Sequence, residues 1–168
     1  DMGLDYIQLN LIKPEIILPV LCLVSKENHT GKTTFIDFLA QMFKGNTAII
    51  STSDIEGNFN QHFATKQIIA IDESDLQKEH TTSKIKQMAT QKTVFRKGKF
   101  QDEYEIDYFG KLIILSNNET NFINIKDEDI RYWVLKINPI QNFDPEFLDK
   151  LTNEIPAFLY FLSQRKLV

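Results

Sequence analysis

Apolar residues form five short continuous runs along this chain, separated by stretches with helical spacing or turn residues. Runs of this length predict strands buried on both faces, which are typical of parallel sheets. Between residues 35 and 42 the apolar side chains recur at helical spacing, and Gly45-Asn46 follows as a stop signal. The predicted strands are residues 16–25, 47–51, 66–73, 110–118 and 132–137, and the predicted helices are residues 3–12 and 31–44.

A hairpin and a helical C-terminus complete the pattern. Residues 93–100 predict a strand that turns at Lys97-Gly98, and residues 100–108 predict the returning strand. Residues 147–167 carry apolar side chains at helical spacing around Pro156, which predicts a pair of packing helices. The expected fold is therefore α/β, a mainly parallel five-stranded sheet flanked by helices, with an inserted basic β-hairpin.

Composition indicates an ordinary globular domain: 168 residues, 42% hydrophobic, with a formal net charge of −4. We expect one domain over residues 1–168, excised from a longer protein because the chain opens with Asp1. No stretch approaches the roughly 20 apolar residues that cross a membrane, so we expect no membrane partner and a cytoplasmic location. The single cysteine, Cys22, excludes internal disulfides and is expected in the core.

The first strand leads into a glycine-lysine-threonine turn within LCLVSKENHTGKTTF, residues 21–35. A turn ending in glycine at a helix start aims backbone N–H groups at one point, where a phosphate can bind. In such a loop Lys32 reaches the phosphates and Thr33 ligates Mg²⁺, although Lys26 stands where the Walker A pattern has glycine. The predicted nucleotide-binding residues are Glu27, Asn28, His29, Thr30, Gly31, Lys32, Thr33 and Thr34.

Two carboxylates end the strand predicted at residues 66–73. Phosphoryl transfer needs one acid to hold Mg²⁺ and another to orient or deprotonate the attacking water. Asp72 is predicted to take the metal role and Glu73 the role of catalytic base. The alternative is a buried strand whose acidic exit caps the next helix.

Amides end the strand predicted at residues 110–118. In ring-forming P-loop ATPases an asparagine at this place can bind both the γ-phosphate and the attacking water. Asn117 is the predicted sensor and Asn118 its rival. The alternative is that Asn-Asn is an ordinary turn dipeptide.

The most biased charge in the chain lies in residues 84–100, which contain no acid. A cationic projection of this kind suits contact with a nucleic-acid backbone without sequence readout. The alternative is an exposed edge hairpin that its lysines protect from aggregation. The basic residues are Lys84, Lys86, Lys92, Arg96, Lys97 and Lys99.

Arg131 precedes the last predicted strand. An arginine there can cross a subunit boundary and stabilise charge on a neighbour's γ-phosphate. It can equally pair with Asp127 or Asp129, and the sequence alone favours this ion pair.

This chain resembles the superfamily 3 helicase domain of phage- and plasmid-type primase-helicases, a group related to the poxvirus primase-helicase. The resemblance covers nearly the whole chain. It rests on SKENHTGKTTF, IIAIDES, IKQMATQKTVFRKGKF, GKLIILSNNE and DEDIRYWVLKI in that order.

The resemblance implies an AAA+-like ATPase that assembles as a ring, usually a hexamer, with ATP and Mg²⁺ at subunit interfaces and single-stranded or forked DNA as partner. It places Lys32 and Thr33 in motif A, Asp72 and Glu73 in motif B, and Asn117 in motif C. It makes Arg131 the arginine finger of the next subunit. The hairpin residues Arg96, Lys97 and Lys99 would grip DNA in the channel, and a primase domain could precede the chain.

Two other functions fit parts of the sequence. A nucleotide-switched assembly module would bind DNA without unwinding it, and the irregular loop at Lys26 favours this reading. A small-molecule kinase would also use a P-loop, but it leaves Asn117 and the basic hairpin without a role. The prediction from sequence is an ATP-dependent DNA helicase or translocase of a phage or mobile element.

Overall fold

The computed structural model describes residues 1–72, 76–125 and 128–167. Five of its strands form one wholly parallel sheet, and two form a separate antiparallel hairpin. In chain order the strands are β1 (Val20–Val24), β2 (Thr47–Ile50), β3 (Ile68–Asp72), β4 (Thr93–Arg96), β5 (Tyr104–Asp107), β6 (Lys111–Ser116) and β7 (Tyr132–Lys136).

The strand order of the main sheet is β2-β3-β6-β1-β7. Strand β6 therefore lies between β1 and β3, and its register pairs Leu115 with both Leu23 and Asp72. Because all five strands are parallel, the carboxyl ends of β1, β6 and β3 meet at one edge of the sheet. This topology brings together the ends of three strands that are far apart in sequence.

Within the described residues, five helices accompany the strands. They are α1 (Met2–Ile12), α2 (Lys32–Met42), α3 (Thr52–Glu56), α4 (Glu79–Thr90) and α5 (Phe147–Gln164). The sequence pattern did not predict α3 and α4. Helix α3 is only five residues long, and the apolar face of α4 is short, since it consists of Ile85, Met88 and Ala89 near the end of the helix.

The core lies on both faces of the main sheet, as the continuous apolar runs predict. Residues Val20 and Cys22 of β1 point into one cluster, and Leu21 and Leu23 point into the other. The alternation follows from the two-residue period of a strand. Every residue of β1 and β6 is buried, which makes these two strands the centre of the molecule.

Two predicted elements differ from the structure. The first strand begins at Val20 rather than residue 16, because Pro19 has no N–H to donate to a neighbouring strand. The predicted C-terminal helix pair is wrong: α5 is one continuous helix that contains Pro156. Pro156 lies on the exposed side of α5, and because it has no N–H it costs the helix one intrahelical hydrogen bond without ending it.

The predicted hairpin is present as β4 and β5, with Arg96 opposite Tyr104, but residues 97–103 connect its strands, so the return begins at Tyr104 rather than Phe100. The basic run of residues 84–100 is divided between two elements, because α4 carries Lys84 and Lys86. Within the described residues, no helix is both long enough and apolar enough to cross a lipid bilayer.

Candidate functional site

A cleft of about 340 Å³ opens at the carboxyl edge of the main sheet. The loop between β1 and α2, the end of β3 and the end of β6 all contribute to it, as the sheet order requires. Seven of the eight predicted nucleotide-binding residues line it, and Glu27 is not among the lining residues. The lining residues are Asn28, His29, Thr30, Gly31, Lys32, Thr33, Thr34, Asp72, Leu115, Asn117, Ile140 and Phe143.

The loop backbone is left-handed at two positions, His29 with φ of 57° and Gly31 with φ of 83°. Gly31 is the residue before the first turn of α2, and it has no side chain to cap that turn. The N–H groups of the turn and the positive end of the helix dipole are therefore open to an anion. Within the described chain, the non-glycine residues with positive φ are His29 and Phe100, so the backbone at Lys26 does not require glycine.

Lys32 is held in the cleft by three oxygen acceptors. Its ammonium group donates to the Thr30 hydroxyl at 3.2 Å, to the Asn117 side-chain oxygen at 2.8 Å, and to the Ser25 hydroxyl. Burial lowers the pKa of Lys32 from its ordinary value, and the Asp72 carboxylate acts in the opposite direction. A partly buried ammonium group with neutral hydrogen-bond partners is well placed to receive a phosphate.

The two asparagines after β6 have different surroundings. The Asn117 oxygen accepts the hydrogen bond from Lys32, and its amide nitrogen donates to the Asn28 side chain at 2.9 Å. The Asn118 oxygen instead accepts backbone N–H groups of Thr120 and Asn121, the bonding expected of a turn residue. Asn117 thus faces the cleft, while Asn118 shapes the loop behind it.

Asp72 and Thr33 lie on the same cleft with exposed side chains. Their carboxylate and hydroxyl oxygens are the kind of ligand that Mg²⁺ uses beside phosphate oxygens. The predicted catalytic base, Glu73, lies outside the described residues. The cleft therefore contains the predicted metal pair, and the role of Glu73 stays a prediction.

Four residues of this site were not identified from sequence: Ser25, Leu115, Ile140 and Phe143. Ser25 is 1% exposed. Its hydroxyl accepts a hydrogen bond from the Lys32 ammonium group and donates one to the Glu27 carbonyl at 2.7 Å. Its position directly after β1 was the available signal. Ile140 and Phe143 follow β7 and line the cleft, and a Cβ added to Gly31 would lie 3.1 Å from the Ile140 side chain. No local sequence pattern predicts that Ile140 lies against Gly31.

Arg131 lies away from the cleft, directly before the amino end of β7. Its guanidinium group binds the Asp129 carboxylate through two hydrogen bonds of 2.6 and 2.7 Å. These hydrogen bonds lower the pKa of the Asp129 carboxyl, whose side chain is 5% exposed. The ion pair that the sequence favoured is therefore present, with Asp129 as partner, while Asp127 lies outside the described residues.

The three predicted DNA-binding residues lie on the hairpin but have different contacts. Lys97 pairs with Glu103 at 2.9 Å, so part of its charge is already neutralised. The guanidinium group of Arg96 lies 5.7 Å from the centre of the Tyr104 ring. The Lys99 ammonium group lies 5.2 Å from the centre of the Phe100 ring.

Sequence comparison relates the chain to the DNA primase-polymerase of Nitratiruptor phage NrS-1, with 26% identity over 143 residues. That match covers 80% of this chain but 20% of the phage protein, so the chain spans about a fifth of that relative's length.

Two solved apo structures of the NrS-1 C-terminal region match 99% of this chain and 42% of theirs. Their TM-scores are 0.88 and 0.84, and their identities are 21% and 24%. A proposed ATPase from Cytophaga hutchinsonii matches 92% of this chain and 50% of its own, with a TM-score of 0.51 and 15% identity. At these identities the structural likeness shows the fold alone.

The comparisons confirm the coarser part of the resemblance, kinship with a phage DNA-replication protein, whereas the superfamily 3 helicase assignment stays a prediction. A family model described as a family of unknown function matches residues 23–131, from the end of β1 to the arginine before β7. Because this match covers well over half of the chain, the protein belongs to that family of unknown function, DUF5906.

Proposed function

We propose that this domain is an ATP-hydrolysing motor of a phage or mobile-element replication protein, a DNA helicase or translocase. The observation that carries the proposal is the cleft where the loop after β1, Asp72 and Asn117 meet. These groups come from three strands of the sheet, and together they match the parts that P-loop ATPases use: a phosphate loop, a metal ligand and a polar sensor.

The strand order supports an AAA+-like arrangement. Strand β6, which ends in the proposed sensor Asn117, lies between the phosphate-loop strand and the strand that ends in Asp72. The Asn117 side chain already contacts Lys32. A group in this position can respond to a γ-phosphate bound by the same lysine.

The donor set of the cleft fits ATP with Mg²⁺. Lys32 and the N–H groups at the start of α2 would bind the phosphates, and Thr33 and Asp72 would hold the metal. The chemistry that Mg²⁺ supplies in such sites is neutralisation of charge on the phosphoryl group. Glu73 is proposed to orient the attacking water, and Lys32 to stabilise charge on the phosphates.

The proposed partners are DNA and further copies of the chain. Single-stranded or forked DNA would contact the hairpin through Arg96, Lys97 and Lys99. A ring, usually hexameric in the family that the sequence resembles, would bring Arg131 of one subunit to the cleft of the next. A primase domain elsewhere in the full protein, and action in the cytoplasm of a bacterial host, belong to the same proposal.

ATP hydrolysis with and without single-stranded DNA tests the proposal. We expect DNA to stimulate the wild-type rate, and Lys32→Ala to lower it by about 10²-fold or more because charge stabilisation at the phosphates is lost. The matched control is Lys44→Ala. It removes an exposed lysine just after the carboxyl end of α2 and should leave the rate unchanged. A Lys32→Ala variant with the wild-type rate would contradict the proposed site.

A second candidate is a nucleotide-switched module that binds DNA without unwinding it. The observation in its favour is that Arg131 is held by Asp129 of its own chain and does not project freely toward a neighbour. Such a module would bind ATP through Lys32, but its slow hydrolysis would not respond to DNA. The same assay therefore separates the two candidates.

A further inference from the structure

A second cleft, here called the hairpin cleft, separates the basic hairpin from the loop that follows α3. It measures about 590 Å³ and shares no lining residue with the cleft at the carboxyl edge of the main sheet, here called the nucleotide cleft after its proposed ligand. Three of its eight lining residues are permanent cations, and no carboxylate is among the lining residues that the structure describes. The lining residues are Phe59, Gln61, His62, Thr65, Lys66, Arg96, Gly98 and Lys99.

The two walls of the hairpin cleft are fastened together by Asn60. Its amide nitrogen donates to the Phe95 carbonyl at 2.9 Å, and its side-chain oxygen accepts the Lys97 N–H at 2.8 Å. The backbone N–H groups of Asn60 and Gln61 both donate to the Lys97 carbonyl at 3.2 Å. The backbone segments that form the two walls are therefore held together before any ligand arrives.

Phe100 directly follows Lys99, a lining residue of this cleft, and has an unfavourable backbone conformation. Its side chain is 95% exposed and its φ is 60°, a left-handed value that is unfavourable for a bulky aromatic residue. The Lys99 ammonium group faces its ring. A strained and exposed aromatic residue next to a row of cations points to a ligand that is both aromatic and anionic.

We propose that the hairpin cleft binds single-stranded nucleic acid, with its phosphates on Lys66, Arg96 and Lys99 and one of its bases stacked on Phe100. This inference deepens the DNA contact of the proposed function and rests on it. It takes Lys66 in place of Lys97 as a phosphate contact, because Glu103 partly neutralises Lys97, whereas the Lys66 ammonium group donates to the neutral Gly45 carbonyl at 2.6 Å and keeps its charge. It also adds a stacking contact, which needs an unpaired base and so favours single strands over duplex.

Charge complementarity favours this occupant over an apolar segment of protein. The cleft lining contributes three permanent cations, and exposed aromatic rings flank it at Phe59 and Phe100, which are 52% and 95% exposed. Non-specific single-strand sites combine these same two features, a cationic track and aromatic platforms.

Fluorescence anisotropy with three labelled oligonucleotides of equal length tests the inference: a single strand, the same strand with abasic sites, and a blunt duplex. The abasic strand keeps its phosphates but offers no base to stack. We expect the wild-type chain to bind the intact single strand about tenfold more tightly than the abasic strand. Phe100→Ala should lower this ratio nearly to one while the salt dependence of binding is unchanged.

Three further variants sharpen the test. Phe100→Leu keeps apolar bulk but removes the aromatic ring, so it should behave as Phe100→Ala does. Lys66→Ala should weaken binding of all three oligonucleotides alike and reduce the salt dependence, because it removes a phosphate contact. Tyr160→Ala removes a 71% exposed aromatic side chain on α5 and should change nothing.

The outcomes distinguish this inference from the proposed function. If the wild-type chain and Phe100→Ala bind intact and abasic strands with the same ratio, the stacking contact is wrong but DNA binding stands. If the wild-type chain binds none of the oligonucleotides, the DNA partner of the proposed function fails and this inference fails with it. ATP hydrolysis by the same preparation reports on the nucleotide cleft independently.

Discussion

At the scale of single residues, two adjacent asparagines after β6 have different contacts and therefore different expected roles. Asn117 contacts Lys32 and Asn28 in the nucleotide cleft, whereas Asn118 accepts two backbone N–H groups of the following turn. The first can act on a bound phosphate, and the second can act only on the shape of the loop. Substitution of each should therefore affect a different measurable quantity.

We predict that Asn117→Ala lowers the kcat of ATP hydrolysis by about 10²-fold, because it removes a polar group that acts on the reacting phosphate. Asn118→Ala should instead lower the free energy of unfolding by about 1 kcal/mol, through the loss of its turn hydrogen bonds. Steady-state kinetics and urea denaturation of both variants measure these effects. If both variants lost kcat to the same extent, Asn117 would have no specific role in hydrolysis and the sensor assignment would be wrong.

At the scale of elements, helix α4 links the hairpin to the loop that carries Arg131. It ends at Thr90, and β4 of the hairpin begins at Thr93. From its middle, the Lys86 ammonium group reaches the Asp129 carboxylate at 3.6 Å. The same carboxylate binds Arg131, so a displacement of α4 would change the contact between Asp129 and Arg131.

We predict that Lys86→Met reduces the stimulation of ATP hydrolysis by DNA about fivefold, the size of a weak coupling between two sites. Affinity for single-stranded DNA and the rate without DNA should stay unchanged, since Lys86 lies in neither cleft. ATPase titrations with an oligonucleotide measure the stimulation.

Lys84→Met is the matched control for this helix. It removes the same charge two residues earlier, but Lys84 donates to the carbonyls of Ile55 and Glu56 at 3.1 and 3.2 Å and not to Asp129. If both variants lose stimulation to the same extent, the link through Asp129 is not specific.

At the scale of the whole molecule, the sheet separates Arg131 from its own nucleotide cleft. The arginine precedes the amino end of β7, and the cleft lies at the carboxyl end of the neighbouring strand β1. Five residues of strand span about 16 Å, which is longer than an arginine side chain. Arg131 is therefore placed to act on another copy of the chain if it acts on a nucleotide at all.

Mixing of two inactive variants tests this arrangement. We predict that Lys32→Ala and Arg131→Ala each abolish DNA-stimulated hydrolysis, and that an equal mixture recovers about a quarter of the wild-type rate. Random assortment in a ring pairs an intact loop with an intact arginine at about one interface in four. A mixture no more active than its components would exclude a shared site.

Asp129→Asn provides the control for the structural role of Arg131. It breaks the ion pair but keeps the guanidinium group, so it should retain much more activity than Arg131→Ala, which loses about 10³-fold or more if the arginine is a finger. Thermal denaturation of both variants shows how much each depends on the pair for folding. If Asp129→Asn and Arg131→Ala have the same activity, loss of the ion pair alone explains the effect of Arg131→Ala.

The sequence by itself determined the strands of the sheet and the position of the loop after β1 where we propose that phosphate binds. Buried strands such as β1 and β6 are continuous apolar runs, and Gly31-Lys32 marks the turn after the first of them. These signals are local, because the burial of a strand and the backbone conformation of a turn depend largely on the residue types within a short segment. Helix α4 has few buried apolar residues, and the single helix α5 tolerates Pro156 at its exposed side, so local patterns misjudged both.

Only the tertiary structure decided which side chains meet. The contact of Asn117 with Lys32 joins residues 85 positions apart, and Ile140 reaches Gly31 from beyond the last strand. The pairing of Lys97 with Glu103 and the distance of Arg131 from its own cleft follow from how the hairpin folds and how the strands are ordered. Such contacts depend on the order of parallel strands, which the apolar pattern of each strand does not encode.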